Sequence, residues 1–379
     1  MAIIGTALKF MIFDKPKSIG VIIGIVISIF LIGQQLGTLR YLTSLMSGLI
    51  VNSNSTDQDI WILDNSTNNV NTLSKIDGRI AREVKSIEGV QESYSVVIAN
   101  ASITFDGSKT SPVNLVGSDG PFFVAGPNVS KIIQGSLNDL YQRDAISAEY
   151  FNSKNLGVEL HAGQMLELNN KAATIKVLTK NAQAFGGFYM YTSLDNARFY
   201  SGFPNDKISI VVVKAIPGVA TNVLVNRINK TFYGVKAWPV SELKKSTLSE
   251  ILVTSNIGVS FGSLVLFAMI SGFFIIGLTL YSSALDRLVD YGTLKAIGAT
   301  NGFVTRLILT QAFLFAIIGF LIAIALLILF KNAVAGAGLI INLDWQLSLL
   351  LLAVTLVISV GGSLFAVVKI SRLEPASIF

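Results

Sequence analysis

The chain has no cysteine, which excludes a disulfide framework, a thiolate metal site and a thiol nucleophile. Histidine occurs once, at His161, so a multi-histidine metal centre is excluded and any Ser/His/Asp catalysis would have to use that one ring. The one Gly-x-Ser-x-Gly match, Gly258 to Gly262, falls inside a long uncharged stretch rather than between a strand and a helix and so is no nucleophile elbow. No zinc-protease helix motif occurs, and before Ala162-Gly163 the histidine reads as a surface turn residue. No Gly-Lys dipeptide occurs either, so no Walker A loop is present to cradle nucleotide phosphates. Charged residues make up only 14% of the chain, against about 25% in soluble proteins. The net charge of +6 comes from scattered bases without a nucleic-acid-binding motif, which fits a membrane surface better than a nucleic acid.

What the chain does contain is long uncharged stretches, unevenly spaced. A run of roughly 20 apolar residues crosses a bilayer core of about 30 Å as a helix. The first, residues 18–39, lies between Lys15 and Lys17 on one side and Arg40 on the other. It is too long for a signal-peptide core and ends in Gln34-Gln35-Leu36-Gly37 without an Ala-x-Ala site, so it reads as an uncleaved anchor. The second lies between Glu250 and Asp286; as one helix of about 35 residues it would reach about 52 Å, longer than the hydrocarbon is thick. We expect residues 251–284 to form a stalk continuous with a second transmembrane helix, its membrane part at 259–283. The third and fourth spans are 307–330 and 345–368, joined by a short loop, 331–344. None carries a charge at depth, which argues against an ion-coupled carrier or a channel.

Orientation follows from bases near the spans. Lys9, Lys15 and Lys17 precede the first span; Arg287, Lys295 and Arg306 lie between the second and third; Lys369 and Arg372 follow the fourth. The loop between the third and fourth has only Lys331. Both termini and the segment 285–306 are therefore expected in the cytoplasm, with residues 40–250 outside.

That outer segment shows β-type runs at 59–63, 94–98, 102–105, 173–178 and 208–213, broken by turn signals at Asp106-Gly107, Asp119-Gly120 and Pro204-Asn205. Helical patterns are expected at 76–87 and 218–231. The fold class is thus an integral membrane α-helical protein, with four transmembrane helices and an inserted mixed α+β domain. Sequons at Asn65, Asn128 and Asn229 would matter only in a secretory eukaryotic host.

The most specific signal is Arg287-Leu288-Val289-Asp290-Tyr291-Gly292-Thr293-Leu294-Lys295-Ala296-Ile297-Gly298-Ala299-Thr300. Leu285, Leu288, Val289, Gly292 and Ala296 share one face at helical spacing, and Gly298 suits a helix end. Such an amphipathic helix lies at an interface, docks on a soluble partner, or simply joins two spans.

This stretch resembles the coupling-helix pattern of FtsX-like, MacB-like ABC transporter permeases, with Asp290-Tyr291-Gly292 where members often carry Glu-Ile-Gly. The tail Leu373-Glu374-Pro375-Ala376 resembles the family's closing Pro-Ala segment. Ala145-Ile146-Ser147, Leu156-Gly157 and Ala162-Gly163-Gln164 resemble an outer-domain segment of the family, with Gln164 in place of its usual Asp. Residues 1–17, including Leu8, Met11 and Ile12, resemble its interfacial elbow helix. Gln35-Leu36-Gly37 and Asp59-Ile60-Trp61 are similar to the DevC subgroup.

The resemblance implies a non-catalytic permease subunit in a bacterial inner membrane, its large domain in the periplasm with a MacB-like core and its cytoplasmic tail at 369–379. It implies a homodimer of such chains with ABC ATPase subunits, which bind the ATP and Mg; this chain binds no cofactor or metal itself. A periplasmic adaptor and an outer-membrane channel are further implied partners. Leu285, Arg287, Leu288, Asp290, Gly292, Leu294, Lys295 and Gly298 would form the ATPase-coupling helix. Gly20 with Gly24, and Gly258 with Gly262, have the spacing for close helix packing. Two other readings stay open: an FtsX-type regulator that activates a cell-envelope hydrolase without transport, and a membrane-anchored sensor unrelated to ATPases.

Overall fold

The computed structural model describes residues 2–105, 109–119, 122–336 and 338–371. The turn expected at Asp106-Gly107, Gly120 of the next turn, and the Pro-Ala tail with Arg372 lie outside the described residues. The chain divides into two units: Met1–Tyr41 with Gly258–Phe379, and Leu42–Ile257.

The chain begins with α1 (Ala2–Phe13) and the first span, α2 (Lys15–Met46). Helix α2 continues past Arg40, where the uncharged stretch ends. On α2 the stripe Val21, Ile25, Ile29 and Ile32 is buried, while Ile19, Ile23, Ile27 and Leu31 face outward. A helix that is apolar on every side suits a bilayer rather than water.

The unit Leu42–Ile257 is mixed α+β, as its sequence predicts. After the single turn α3 (Gly48–Val51) come β1 (Ile60–Asp64), β2 (Ile76–Asp77) and the short α4 (Ile80–Glu83). Then follow the long β3 (Val90–Phe105), β4 (Lys109–Ser118), β5 (Ile132–Gln134) and β6 (Ala145–Glu149). Next are α5 (Asn152–Leu156), β7 (Met165–Leu168), β8 (Lys171–Thr179), β9 (Phe188–Ser193) and α6 (Leu194–Ser201). The unit closes with β10 (Lys207–Ile208), β11 (Ile210–Ala215), α7 (Thr221–Thr231), β12 (Val235–Pro239) and α8 (Val240–Thr254).

The main sheet runs β12-β1-β11-β3-β7-β8-β5, with β4 and β9 continuing from the other edge of β3 and β6 beside β8. Two cores flank it. One gathers Val97, Ala101, Val113, Met190 and Val211 with α6 and α7; the other gathers Val96, Val116, Tyr191 and Val212 with Leu49 and Leu243. Alternate residues of β3, β4, β9 and β11 thus point to opposite faces, the period-2 rule of a strand.

Two sequence expectations need correction here. The runs 94–98 and 102–105 are parts of one strand, β3. The helix expected at 76–87 opens instead as β2, which pairs with β10, and only Ile80–Glu83 and a 3-10 turn at Val84–Ser86 are helical. Pairing with residues about 130 positions away in sequence overrides a local helical pattern. His161 lies exposed in a turn, its Nδ1 at 3.2 Å from the Ala162 carbonyl.

The membrane unit resumes with α9 (Ile257–Asp286), α10 (Leu288–Ala296), α11 (Asn301–Ala335) and α12 (Trp345–Ser371). With α2, the helices α9, α11 and α12 are each long and apolar enough to cross a membrane. The single over-long helix expected before Asp286 is not formed: α8 ends at Thr254, and Asn256 takes a left-handed φ of +53° before α9 starts. Asparagine is among the few residues that adopt that conformation readily.

Small residues set the close approaches of the bundle. A Cβ on Gly24 would lie 2.6 Å from Cγ2 of Ile275, one on Gly277 2.7 Å from Cδ2 of Phe365, and one on Gly319 2.5 Å from Cγ2 of Ile25. At the end of α2 near Arg40, that guanidinium pairs with Asp344 at 2.5 Å, while Asp344 also accepts from the Leu347 amide at 3.0 Å and so caps α12.

Candidate functional site

The segment between α9 and α11 is built from three local signals. Arg287 leaves helical geometry at φ −107°, which ends α9 and starts α10. At the other end Gly298 has φ +103°, its amide donates to the Lys295 carbonyl at 3.0 Å, and the Ala299 amide donates to the Leu294 carbonyl at 2.9 Å. These paired bonds are a Schellman termination, for which a left-handed glycine is the usual residue. Thr300 then caps α11, its hydroxyl accepting from the Phe303 amide at 3.3 Å. The run from Leu294 to Thr300 is therefore a helix stop followed directly by a helix start.

The inner face of α10 is held by α1. Tyr291 is 2% exposed, and its ring centroid lies 5.7 Å from that of Phe10. Burial pushes the Tyr291 phenol up to about 12, with the Arg287 charge and the Gln311 side chain pulling it back. Arg287, 8% exposed, donates to the Phe10 carbonyl at 2.8 Å and lies 4.7 Å over the Phe10 ring and 5.2 Å from that of Phe13. Lys17 pairs with Asp286, and Ser283 donates to Asp14 at 3.4 Å, so the α1–α2 junction is tied to the end of α9.

Of the residues expected to couple to an ATPase, Leu285 is half-buried at the end of α9 and Arg287 is buried. Leu288, Leu294 and Lys295 are half-buried, Gly292 is buried, and Asp290 and Gly298 are exposed. The predicted apolar face is corrected in one respect. Val289, 57% exposed, and the exposed Ala296 point outward, while Tyr291 turns inward beside Gly292. The outward face is Val289, Thr293, Ala296 and Ile297, the last 77% exposed. Sequence reasoning missed Tyr291, Phe10 and Gln311; the only hint was an aromatic residue in the middle of a short amphipathic stretch.

Gly20 and Gly24 sit on α2 facing α9, where Thr279 and Ile275 are their nearest neighbours at 3.9 Å and 2.6 Å from a built Cβ. Gly258 is half-buried near the start of α9, and among the described residues nothing lies within 4 Å of a Cβ placed on Gly262.

Chemically, α10 has one face locked by an arginine and an aromatic pair, and another that is largely apolar and exposed. An amphipathic helix laid in a groove uses residues at such i, i+4, i+7 and i+8 positions.

Residues 262–375, which include all of this segment, match the profile of the FtsX-like permease C-terminal family. No curated protein matches the chain. Among solved structures, the chain is similar to the periplasmic region of MacB from Actinobacillus actinomycetemcomitans. That match has 12% identity and a TM-score of 0.39, and it covers 52% of this chain and 94% of that one. The chain is likewise similar to the extracellular domain of the ABC-type transporter YknZ from Gram-positive bacteria. There the identity is 13% and the TM-score 0.34, with 48% of this chain and 99% of that one covered.

Proposed function

We propose that this multi-pass membrane protein is the permease subunit of an ABC exporter, coupling ATP hydrolysis by a separate ATPase to movement of its outer domain. The FtsX-like permease domain at residues 262–375 supports the class. The observation that carries the mechanism is the two-faced α10: its outward residues Val289, Thr293, Ala296 and Ile297 are open to a partner, while Arg287 and Tyr291 fasten its inner side to α1. A push on α10 is thereby passed to the helix bundle rather than absorbed in a loop.

In this reading α10 faces the cytoplasm, the unit Leu42–Ile257 lies on the periplasmic side of an inner membrane, and two such chains pair with two ATPase subunits that hold ATP and Mg. An adaptor, an outer-membrane channel and membership of the DevC subgroup belong to the same proposal. Replacing Val289 and Ile297 together with Glu tests it. Loss of ATPase co-purification and of substrate-stimulated hydrolysis, with the protein still folded, is the expected result. Unchanged association would overturn the coupling role of this face.

A further inference from the structure

The sheet of the outer unit has an opening in the middle of its longest strand. The Ser95 carbonyl accepts from the Asp119 amide at 3.0 Å, so odd-numbered residues of β3 direct their backbone groups toward β4. Even-numbered residues therefore face the other edge. There the Val96 carbonyl accepts from the Ser209 amide at 2.8 Å, and the Ile98 amide donates to the Ser209 hydroxyl at 2.9 Å. Farther along, the Ser102 amide donates to the Asn169 carboxamide at 2.8 Å, and the Ser102 carbonyl accepts from the Asn169 amide at 2.9 Å. Asn100 falls between these. Strand β11 pairs with β3 only as far as Val96, and β7 joins only at Ile103, so among the described residues no strand stands opposite Asn100, which is exposed. The opening from Ile98 to Ser102 is about 13 Å long at the usual strand rise.

The opening borders a cavity of about 450 Å³ lined by both Asn100 and Ser209, a volume in the range of small-ligand sites. Its floor is a single row across neighbouring strands: Asn100 on β3 is in register with Asn114 on β4, and Asn114 with Tyr189 on β9. Among the described residues, the carboxamides of Asn100 and Asn114 have no hydrogen-bond partner, although each can donate and accept. Among the described lining residues the one that is charged is Lys75, whose ammonium lies 4.9 Å over the Phe203 ring.

We propose that this cavity binds a short free peptide in extended form, its main chain paired with Asn100 and its terminal carboxylate at Lys75. One N–H and one C=O offered side by side by a strand match those of one residue in an added antiparallel strand. The two carboxamides match further peptide groups, and the single cation favours an anionic end. The site lies wholly within the unit Leu42–Ile257 and is independent of the ATPase reading, so either can fail alone.

The test uses the full-length protein in detergent with fluorescein-labelled Ala-Ala-Val-Ala as probe, followed by anisotropy. Saturable binding is expected, weakened about tenfold by C-terminal amidation or by Lys75→Ala, and restored toward wild type by Lys75→Arg. N-methylation of the probe's Val amide is expected to abolish binding, and the bound probe is expected to slow hydrogen exchange in residues 97–102. No saturable binding overturns the proposal, as does binding that is indifferent to N-methylation or leaves exchange in 97–102 unchanged.

Discussion

The guanidinium of Arg287 donates to the carbonyl of Phe10 at 2.8 Å and lies 4.7 Å over the ring of the same residue. Two contacts to one residue thus fasten α10 to α1, across 277 positions of sequence. A hydrogen bond from a charged group contributes about 1.5–3 kcal/mol, and the cation–ring contact adds to it. Arg287→Ala is expected to lower the stability of the full-length protein in detergent by about that amount. Arg287→Lys should recover only part, since an ammonium lacks the planar fork. Thermal melts check this, and equal melting of the wild type and Arg287→Ala would remove the clamp from the account.

Helix packing gives a second test. Gly319→Ala would drive a methyl to 2.5 Å from Ile25 Cγ2, and Gly24→Ala would bring one to 2.6 Å from Ile275 Cγ2. Overpacking of this kind costs about 1–3 kcal/mol. Gly262→Ala meets nothing within 4 Å among the described residues. In a helix interior that change is expected to be neutral or to stabilise by up to about 1 kcal/mol. Urea or heat titration of the three variants should place Gly262→Ala apart from the other two. If Gly262→Ala were the most damaging, its open face would have to be an interface between chains.

Helix α10 shows where the sequence was readable. Gly298 acts through short-range backbone geometry, so a glycine there was enough to place the end of α10; the cap at Thr300 was not read, and α11 starts at Asn301, ahead of the span expected from residue 307. The inward turn of Tyr291 was not readable. Periodicity assigns a face but does not say which neighbour it meets, and that neighbour, Phe10, comes from the opposite end of the chain. The break at Asn256 was legible in principle, in the polar run Thr254-Ser255-Asn256, but overall apolarity there favoured a continuous helix. Strand existence in the unit Leu42–Ile257 was readable from β-branched runs. The β2–β10 pairing and the opening at Asn100 depend on long-range register and were not.

A buried carboxylate gives a pH test. Glu149 is 1% exposed; it accepts from the Thr179 hydroxyl at 2.8 Å and from the amides of Asn181 and Ala182, each at 2.9 Å. Burial raises its pKa above the ordinary carboxylate value, and those hydrogen bonds oppose the rise. Nearby Lys131 is itself shifted down by burial and up by Glu149. With the folded pKa raised, the native state holds this proton more tightly than the unfolded chain does. The contribution is therefore complete below the unfolded pKa and lost as pH rises through the folded one. Wild-type stability is expected to fall with rising pH just above the ordinary carboxylate range, and Glu149→Gln should flatten that slope. The variant also turns an amide donor toward one of the three donors, at a cost of about 1–3 kcal/mol. Melts across that window check both effects, and an unchanged slope in Glu149→Gln would contradict the assignment.

The central claim is that the outward face of α10 meets a nucleotide-driven partner inside the cell. A photo-crosslinking amino acid placed at Ile297, which is 77% exposed, tests this most directly, with the buried Tyr291 position as control. On illumination of intact cells, position 297 is expected to capture a protein carrying a Walker A loop and position 291 none. Capture at 297 of proteins without a nucleotide-binding loop, or labelling of that position by a reagent confined to the cell exterior, would contradict the account.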